Sequence, residues 1–222
     1  MNCKAIHRLT KLLTLLALLW DKVPITNPSV TPQSNGGMYM RVITGTARGR
    51  RLITPEGLDT RPTTDKVKEA ICSSLQFDFP EANVLDLFAG SGQMAIEALS
   101  RGARRATLVD ADQRAITCIR QNVKSCGFAD QATVLKSDAV SFLQRTTELY
   151  DIAFLDPPYR HEILQQILPI LAEKMQKNGI IVCEHEPECK LSERILHFDL
   201  QKQKKYGKII ISIYRNTDEE EN

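Results

Sequence analysis

The tetrad Asp156-Pro157-Pro158-Tyr159 carries the sharpest chemical signal in the sequence. Two consecutive prolines fix φ and remove both backbone N–H donors. The local chain then offers only acceptors: the Asp156 carboxylate and the carbonyls beside Pro157. Such a site suits a substrate amino group. Tyr159 can stack on a planar base turned out of its helix for modification. The alternative is a proline-rich loop with a packed tyrosine, and the placement of the tetrad at a strand end argues against it.

A second group lies in Asp86-Leu87-Phe88-Ala89-Gly90-Ser91-Gly92. Gly90 and Gly92 permit a tight turn and close approach of a ligand to a helix N-terminus. Position 95 is Ala, so the run falls short of G-x-G-x-x-G, which disfavours a nicotinamide oxidoreductase. A carboxylate at Asp86 would repel pyrophosphate but attract an amino group or a sulfonium. The loop therefore fits a nucleoside better than a dinucleotide. Asp110, 24 residues beyond Asp86, stands where an acidic side chain can take both ribose hydroxyls, or cap the next helix. Asp112 competes for that role, though it more naturally starts the helix. Asp138 can accept from an adenine amino group or cap a helix at 140. Glu184-His185 lies at another strand end; support for the proline loop is the favoured reading, a catalytic base the other. His161 follows Tyr159 closely enough to touch a nucleic acid.

These residues need a scaffold that gathers strand ends. Val84–Phe88, Ala106–Val109, Ala132–Leu135, Ile152–Leu155 and Ile180–Cys183 read as buried strands. Helical periodicity separates them at Met94–Leu99, at Ala115, Ile116, Ile119 and Val123, at Val140–Leu143, and at Ile163, Leu164, Ile167, Leu168 and Leu171, the last with Pro169 as a kink. Thr63-Thr64-Asp65 opens an earlier helix through Val67, Ala70, Ile71 and Leu75. Ile195–Leu200 and Ile209–Tyr214 have no helix between them and read as an antiparallel hairpin around a basic turn, Lys202–Lys208. Met40–Ile43 and Arg51–Ile53 can pair as a short hairpin. The fold class is α/β: an open, mostly parallel seven-stranded sheet with a C-terminal antiparallel hairpin and a small N-terminal β-hairpin arm. In such sheets ligands bind beyond the C-terminal strand ends, where strand order reverses.

With 222 residues the chain holds one domain plus an appendage. Residues 1–37 carry Lys4, Arg8, Lys11 and Lys22 against Asp21, a net of +3, which leaves the remainder at −1 from 25 basic and 26 acidic residues. Bulk charge thus argues for no nucleic-acid partner, and local patches must. Leu12–Trp20 is too short to span a bilayer core as a helix, and no small-residue cleavage site follows it. Residues 1–37 are expected to be a disordered extension or the product of a start assigned upstream of Met38 or Met40. An appended helix and a secretion signal are the other readings. The acidic tail 218–222 is expected to be solvated. No cysteine pair has metal-ligand spacing, so no metal is expected, and the six cysteines read as free thiols of a cytoplasmic protein.

Taken in order, RVITGTARGRRL, TRPTTDKVKEA, VLDLFAGSG, IEALSRGA, FLDPPY, CEH and KKYGK resemble the RsmD family of 16S ribosomal RNA guanine-N2 methyltransferases, over residues 40–215. The family lies within the class I S-adenosylmethionine-dependent methyltransferases, which have a Rossmann-like fold. The resemblance implies a methyltransferase domain over 38–217, with 38–62 as its basic RNA-binding arm. It implies S-adenosylmethionine held by Asp86, Phe88, Gly90, Gly92, Asp110 and Asp138. Asp156, Pro157 and Tyr159 would then hold the guanine while its amine attacks the methyl group in line. The implied target is one guanine, position 966 of 16S RNA, within the small subunit, and the implied enzyme is a monomer. Arg41, Arg48, Arg50, Arg51, Arg61 and Lys205 would contact RNA phosphates. Two departures stand out: Asp110 replaces a more usual Glu, shortening the reach to the ribose, and Gln93 stands where a small or apolar residue is commoner. Rival readings are another amino-group target, DNA adenine or protein glutamine, and a catalytically inactive RNA-binding assembly factor.

Overall fold

Runs such as Ile152-Ala153-Phe154-Leu155 have no polar face, so they belong in a sheet covered on both sides. The computed structural model, which describes residues 40–55, 65–158 and 161–216, places them there. In chain order the elements are α1 (Asp65–Ser74), β1 (Asn83–Asp86), α2 (Gln93–Ser100), β2 (Arg105–Asp110), α3 (Gln113–Cys126), β3 (Ala132–Lys136), α4 (Ala139–Arg145), β4 (Tyr150–Leu155), α5 (His161–Ala172), β5 (Met175–His185), β6 (Arg194–Ile195), β7 (Phe198–Tyr206) and β8 (Ile209–Asn216). The sheet order is β3-β2-β1-β4-β5-β8-β7-β6. The first five strands are parallel, and β8, β7 and β6 add antiparallel. Strand order reverses between β1 and β4, the expected place for a ligand.

Side-chain alternation along the strands sorts the core into two layers. Val84, Ala106, Leu108, Ile152, Phe154, Ile180 and Val182 face α1, α2 and α3. Leu85, Val109, Ala153, Leu155, Ile181 and Cys183 face α4 and α5.

The sheet has eight strands rather than seven. The expected strand 195–200 is broken at Leu196, whose φ of 53° turns the chain and leaves β6 as a two-residue edge. The expected basic turn 202–208 is mostly strand: Lys202, Lys204 and Lys205 pair with β8, and the reversal is confined to Gly207-Lys208. Lysines are depleted in strands for want of packing, not through any backbone block, and an exposed edge region accepts them. The proposed cap Thr63-Thr64, residues 1–37 and the tail 218–222 lie outside the described residues.

The N-terminal hairpin forms as expected, with a bridge between Arg41 and Arg51. It is not a loose arm. Val42, Ala47 and Leu52 are buried in the core layer of α2 and α3. Glu97, fully buried on α2, accepts the N–H groups of Ile43 (2.8 Å) and Thr44 (3.0 Å). Ser100 accepts Ala47 N–H at its hydroxyl, which donates to Thr44 O. The fit is so close that a Cβ on Gly45 would stand 1.7 Å from the Ser100 carbonyl oxygen. Asn122 on α3 holds the far end, accepting Ile53 N–H and donating back to Ile53 O.

Candidate active site

The alternation that sorts the core also fixes the site. Asp86 is two residues past Val84, Asp156 two past Phe154 and Glu184 two past Val182, so all three carboxylates share the face of α1. Leu155 pairs with Cys183, which sets Asp156 beside Glu184. Asp86 pairs with Phe154, one step deeper. The three line one half-open cleft of about 420 Å³ with Phe88, Met94, Phe154 and Ile71. A larger groove of about 820 Å³ runs along the β3 edge past Thr107, Lys136 and Arg145. It contains none of these three carboxylates, which makes the smaller cleft the candidate site.

Asp86 is buried, and its Oδ2 accepts the N–H of Ala95 at 3.1 Å in the first turn of α2. Burial pushes its carboxyl up to about 7, against which the Ala95 hydrogen bond works. Asp156 keeps one side open to solvent, yet crowding by protein, then Glu184 and then Asp86, raises its carboxyl well above the usual range. A site that resists a third negative charge is built for a cation or for N–H donors.

The titration of Asp86 has a consequence for stability. The folded state keeps its proton up to about pH 7, whereas the unfolded chain releases it near 3.8. Between those values the folded state binds more protons, so stability falls as pH rises, by up to about 4 kcal/mol in all. Asp86→Asn, which preserves an acceptor for Ala95, should flatten this difference. Urea unfolding of both proteins from pH 4 to 8 checks it; parallel curves would refute the assignment.

The glycine loop is shaped from beneath. Gly92, at φ 76°, has Leu108 packed so closely that a Cβ would stand 2.9 Å from its methyl group. Asp110 fastens the loop from β2: Oδ2 accepts Gly90 N–H and Oδ1 accepts Asp112 N–H, both at 2.8 Å. Each oxygen of a carboxylate has about two acceptor sites, so Asp110 can still take ribose hydroxyls. Asp112 caps α3 through Arg114 N–H, the helix-starting role expected of it. Asp138 caps α4 through Ser141 N–H, so the capping alternative is real; an adenine contact would have to share that carboxylate.

His185 points to the other face of the sheet, where its Nε2 meets the Ser212 hydroxyl at 2.8 Å. The two members of the Glu184-His185 pair therefore part: the glutamate joins the cleft and the histidine supports the sheet. Strand alternation was the signal that could have separated them. Pro157 follows Asp156 at the cleft mouth. Tyr159, Arg61 and the His161 side chain lie outside the described residues.

Among the basic residues, Arg41, Arg48, Arg50 and Arg51 are all exposed on the docked hairpin. Lys205 pairs with Ile210 and faces away from the cleft. Lys202 and Lys204 pair with Ile213 and Ile211 and face α1 instead. Lys204 Nζ stands 5.3 Å from the Tyr206 ring centroid, and Lys202 Nζ donates to Ser74 Oγ. These side chains line a small groove that shares Ile71 and Ile211 with the carboxylate cleft, so a basic and aromatic strip leads into it. Sequence reading treated the lysines as one turn and missed this division.

Among the described residues no helix is long and apolar enough to cross a membrane, and no cluster of His, Cys, Asp or Glu could hold a metal ion.

Comparison with known proteins adds independent findings. The family model described as conserved hypothetical protein 95 matches residues 40–215. YlbH of Bacillus subtilis, provisionally named an rRNA methyltransferase, is 40% identical over 182 residues, 79% of this chain and 98% of that protein. Ribosomal RNA small subunit methyltransferase D of Escherichia coli K12 is 33% identical over 186 residues, 83% of this chain and 93% of that one. A solved Escherichia coli structure, yhhF, provisionally titled a methyltransferase, superposes with a TM-score of 0.74 at 34% identity, covering 82% of this chain and all of that one. An RNA methyltransferase from Salinibacter ruber, solved with S-adenosyl-L-homocysteine, shares the fold at 17% identity and a TM-score of 0.56, covering 71% of this chain and 95% of that one.

Proposed function

This chain belongs to the RsmD family, whose model is described as conserved hypothetical protein 95, and from that premise we propose that it methylates the exocyclic N2 of guanine 966 in 16S RNA. It is an S-adenosylmethionine-dependent RNA methyltransferase of the class I, Rossmann-like fold, and its substrate class is ribosomal RNA. The finer content is the single guanine, the assembled small subunit as substrate, a monomeric enzyme and a cytoplasmic setting. Residues 38–217 are assigned as the catalytic domain, with 38–62 as its RNA-binding arm and 1–37 and 218–222 outside it.

The observation that carries the reading is the register of β4 and β5, which sets the acceptors of Asp156-Pro157 at the mouth of an apolar cleft beside the switch point. The residues present fit the cofactor. Buried Asp86 suits its cationic amino acid end, and the Asp110-fastened loop presents Gly90 and Gly92 without side chains in the way. Phe88 lines the same cleft, and Asp138 stands at the β3 end for the base. S-adenosylmethionine supplies an electrophilic methyl group when bound.

The protein's own part is placement. A guanine amine is a poor nucleophile because its lone pair delocalises into the ring. Asp156 and the carbonyl beside Pro157 hold the two N–H bonds of that amine, favouring a pyramidal nitrogen with its lone pair turned to the methyl group. Positioning of this kind contributes most of the acceleration. Asp156 need not be a strong base, since the amine becomes acidic only as it is methylated; the raised carboxyl then suits it to receive that proton.

Labelled S-adenosylmethionine incubated with unmodified small subunits, followed by nucleoside mass spectrometry, tests the proposal. N2-methylguanosine at position 966 is the expected product. Cofactor binding without transfer to subunits, naked ribosomal RNA or DNA would sink the RNA target and favour a protein glutamine.

The cleft-side lysines make a separate prediction. The double variant Lys202→Gln, Lys204→Gln should lower kcat/KM by about tenfold or more. It should also reduce the log–log salt slope by about 1.4, the value for two phosphate contacts on single-stranded RNA. Lys205→Gln should do much less, and an equal loss from Lys205→Gln would contradict the facing of β7.

A further inference from the structure

We propose that Glu184 accepts the N1–H of the target guanine and so sets the preference for guanine over bases that carry an acceptor at that position. The inference rests on the guanine-N2 reading and deepens it. Leu155 and Cys183 are paired, so Asp156 and Glu184 leave adjacent parallel strands at the same level, with backbones about 4.8 Å apart. Both line the same cleft, on the face of Phe154 and Val182. Phe88, Met94 and Ile71 form apolar walls that can take a base lying flat.

A guanine presents N1–H and N2–H side by side on one edge, and both are donors. With the amine at Asp156, the neighbouring N1–H falls toward the carboxylate one strand over. The two carboxylates repel each other, and Glu184 is the leading charge acting on Asp156. A double-donor edge relieves that repulsion. Adenine, or any base with a lone pair at N1, adds to it. The N1–H of guanine donates to that carboxylate, whereas a lone pair at N1 faces it as one acceptor faces another, and sites built to hydrogen-bond a substrate N–H discriminate on this difference.

The test compares small subunits reconstituted from ligated 16S RNA carrying either guanine or 2-aminopurine at the target. 2-Aminopurine keeps the exocyclic amine but has an acceptor at N1. Wild type should prefer guanine by about 100-fold or more in kcat/KM. Glu184→Gln should lose about tenfold or more on guanine while the preference narrows to less than about tenfold, since its amide can donate to N1 of 2-aminopurine. Binding of the 2-aminopurine particle, followed by its own fluorescence, should tighten in the variant. Equal wild-type rates on both particles would overturn the proposal, as would a Glu184→Gln variant slowed by the same factor on each. Should the variant not fold, the wild-type preference alone decides, a ratio near one being fatal. Absence of N2-methylguanosine from the guanine particle with wild type would fell the functional reading itself, a result distinct from both.

Discussion

Asp156→Ala is expected to cut methyl transfer by at least about 10³-fold while cofactor affinity stays within about threefold of wild type. The two halves of the expectation have separate causes. Asp156 leaves the end of β4, beside Glu184 and one step above Asp86, at the cleft mouth. The groups assigned to the cofactor hang instead from β1, β2, the loop between β1 and α2, and, for Asp138, the end of β3, and none of them hydrogen-bonds Asp156. Truncation therefore removes the acceptor that orients the amine and leaves the glycine loop as it was. Losing one preorganised charged group at a reacting centre costs about 10²–10³, and losing orientation of the nucleophile adds to it. Asp156→Asn should fall between, because its carbonyl still accepts one N–H while its amide opposes the second. Transfer assays and isothermal titration with S-adenosylmethionine on the same preparations check both halves. Equal loss of transfer and cofactor affinity would place Asp156 in the cofactor site and refute its role at the amine.

Much of this arrangement is legible in the residues. The parallel strands are apolar on both faces, the helices between them are periodic, and both signals are local. The strand-end residues Asp86, Gly90, Gly92, Asp110 and Asp156 announce themselves by type and by position after a strand. The errors arise where a residue's role depends on a partner far along the chain. Lys202, Lys204 and Lys205 look like a turn because lysine runs usually are turns; only pairing with β8 shows a strand with two faces. Leu196 gives no hint of the positive φ that cuts β6 from β7. Glu184 and His185 read as one feature because adjacency in sequence hides the alternation that sends them to opposite faces. Asp138 remains double-valued, since a helix cap and an adenine acceptor ask for the same residue at the same place.

Glu97 is the residue that sequence reading passed over entirely, and Glu97→Ala is expected to destabilise the fold by about 3–5 kcal/mol. A glutamate between Ile96 and Ala98 looks like an ordinary polar position on a helix. In the fold it is fully buried and gathers four donors: the N–H groups of Ile43 and Thr44, and Arg101 through Nε and Nη2 at 3.1 and 2.9 Å. Removing it leaves two backbone donors and most of a guanidinium without their acceptor, and breaking a buried pair from one side costs several kcal/mol. The damage should be directional. α2 carries Glu97 and Ser100 against the arm, and Ala95, at its first turn, against Asp86. Detachment of residues 43–47 would strip Arg41, Arg48, Arg50 and Arg51 of their fixed placement while the α2 start and the glycine loop persist. Urea unfolding should show the loss of stability. Hydrogen exchange at Ile43 and Thr44 should accelerate more than at Ala95. RNA methylation should fall more steeply than S-adenosylmethionine binding. A cost below about 1 kcal/mol, or equal acceleration at all three amides, would mean that the arm is held by burial of Val42, Ala47 and Leu52 and by Ser100 and Asn122, and not by this carboxylate.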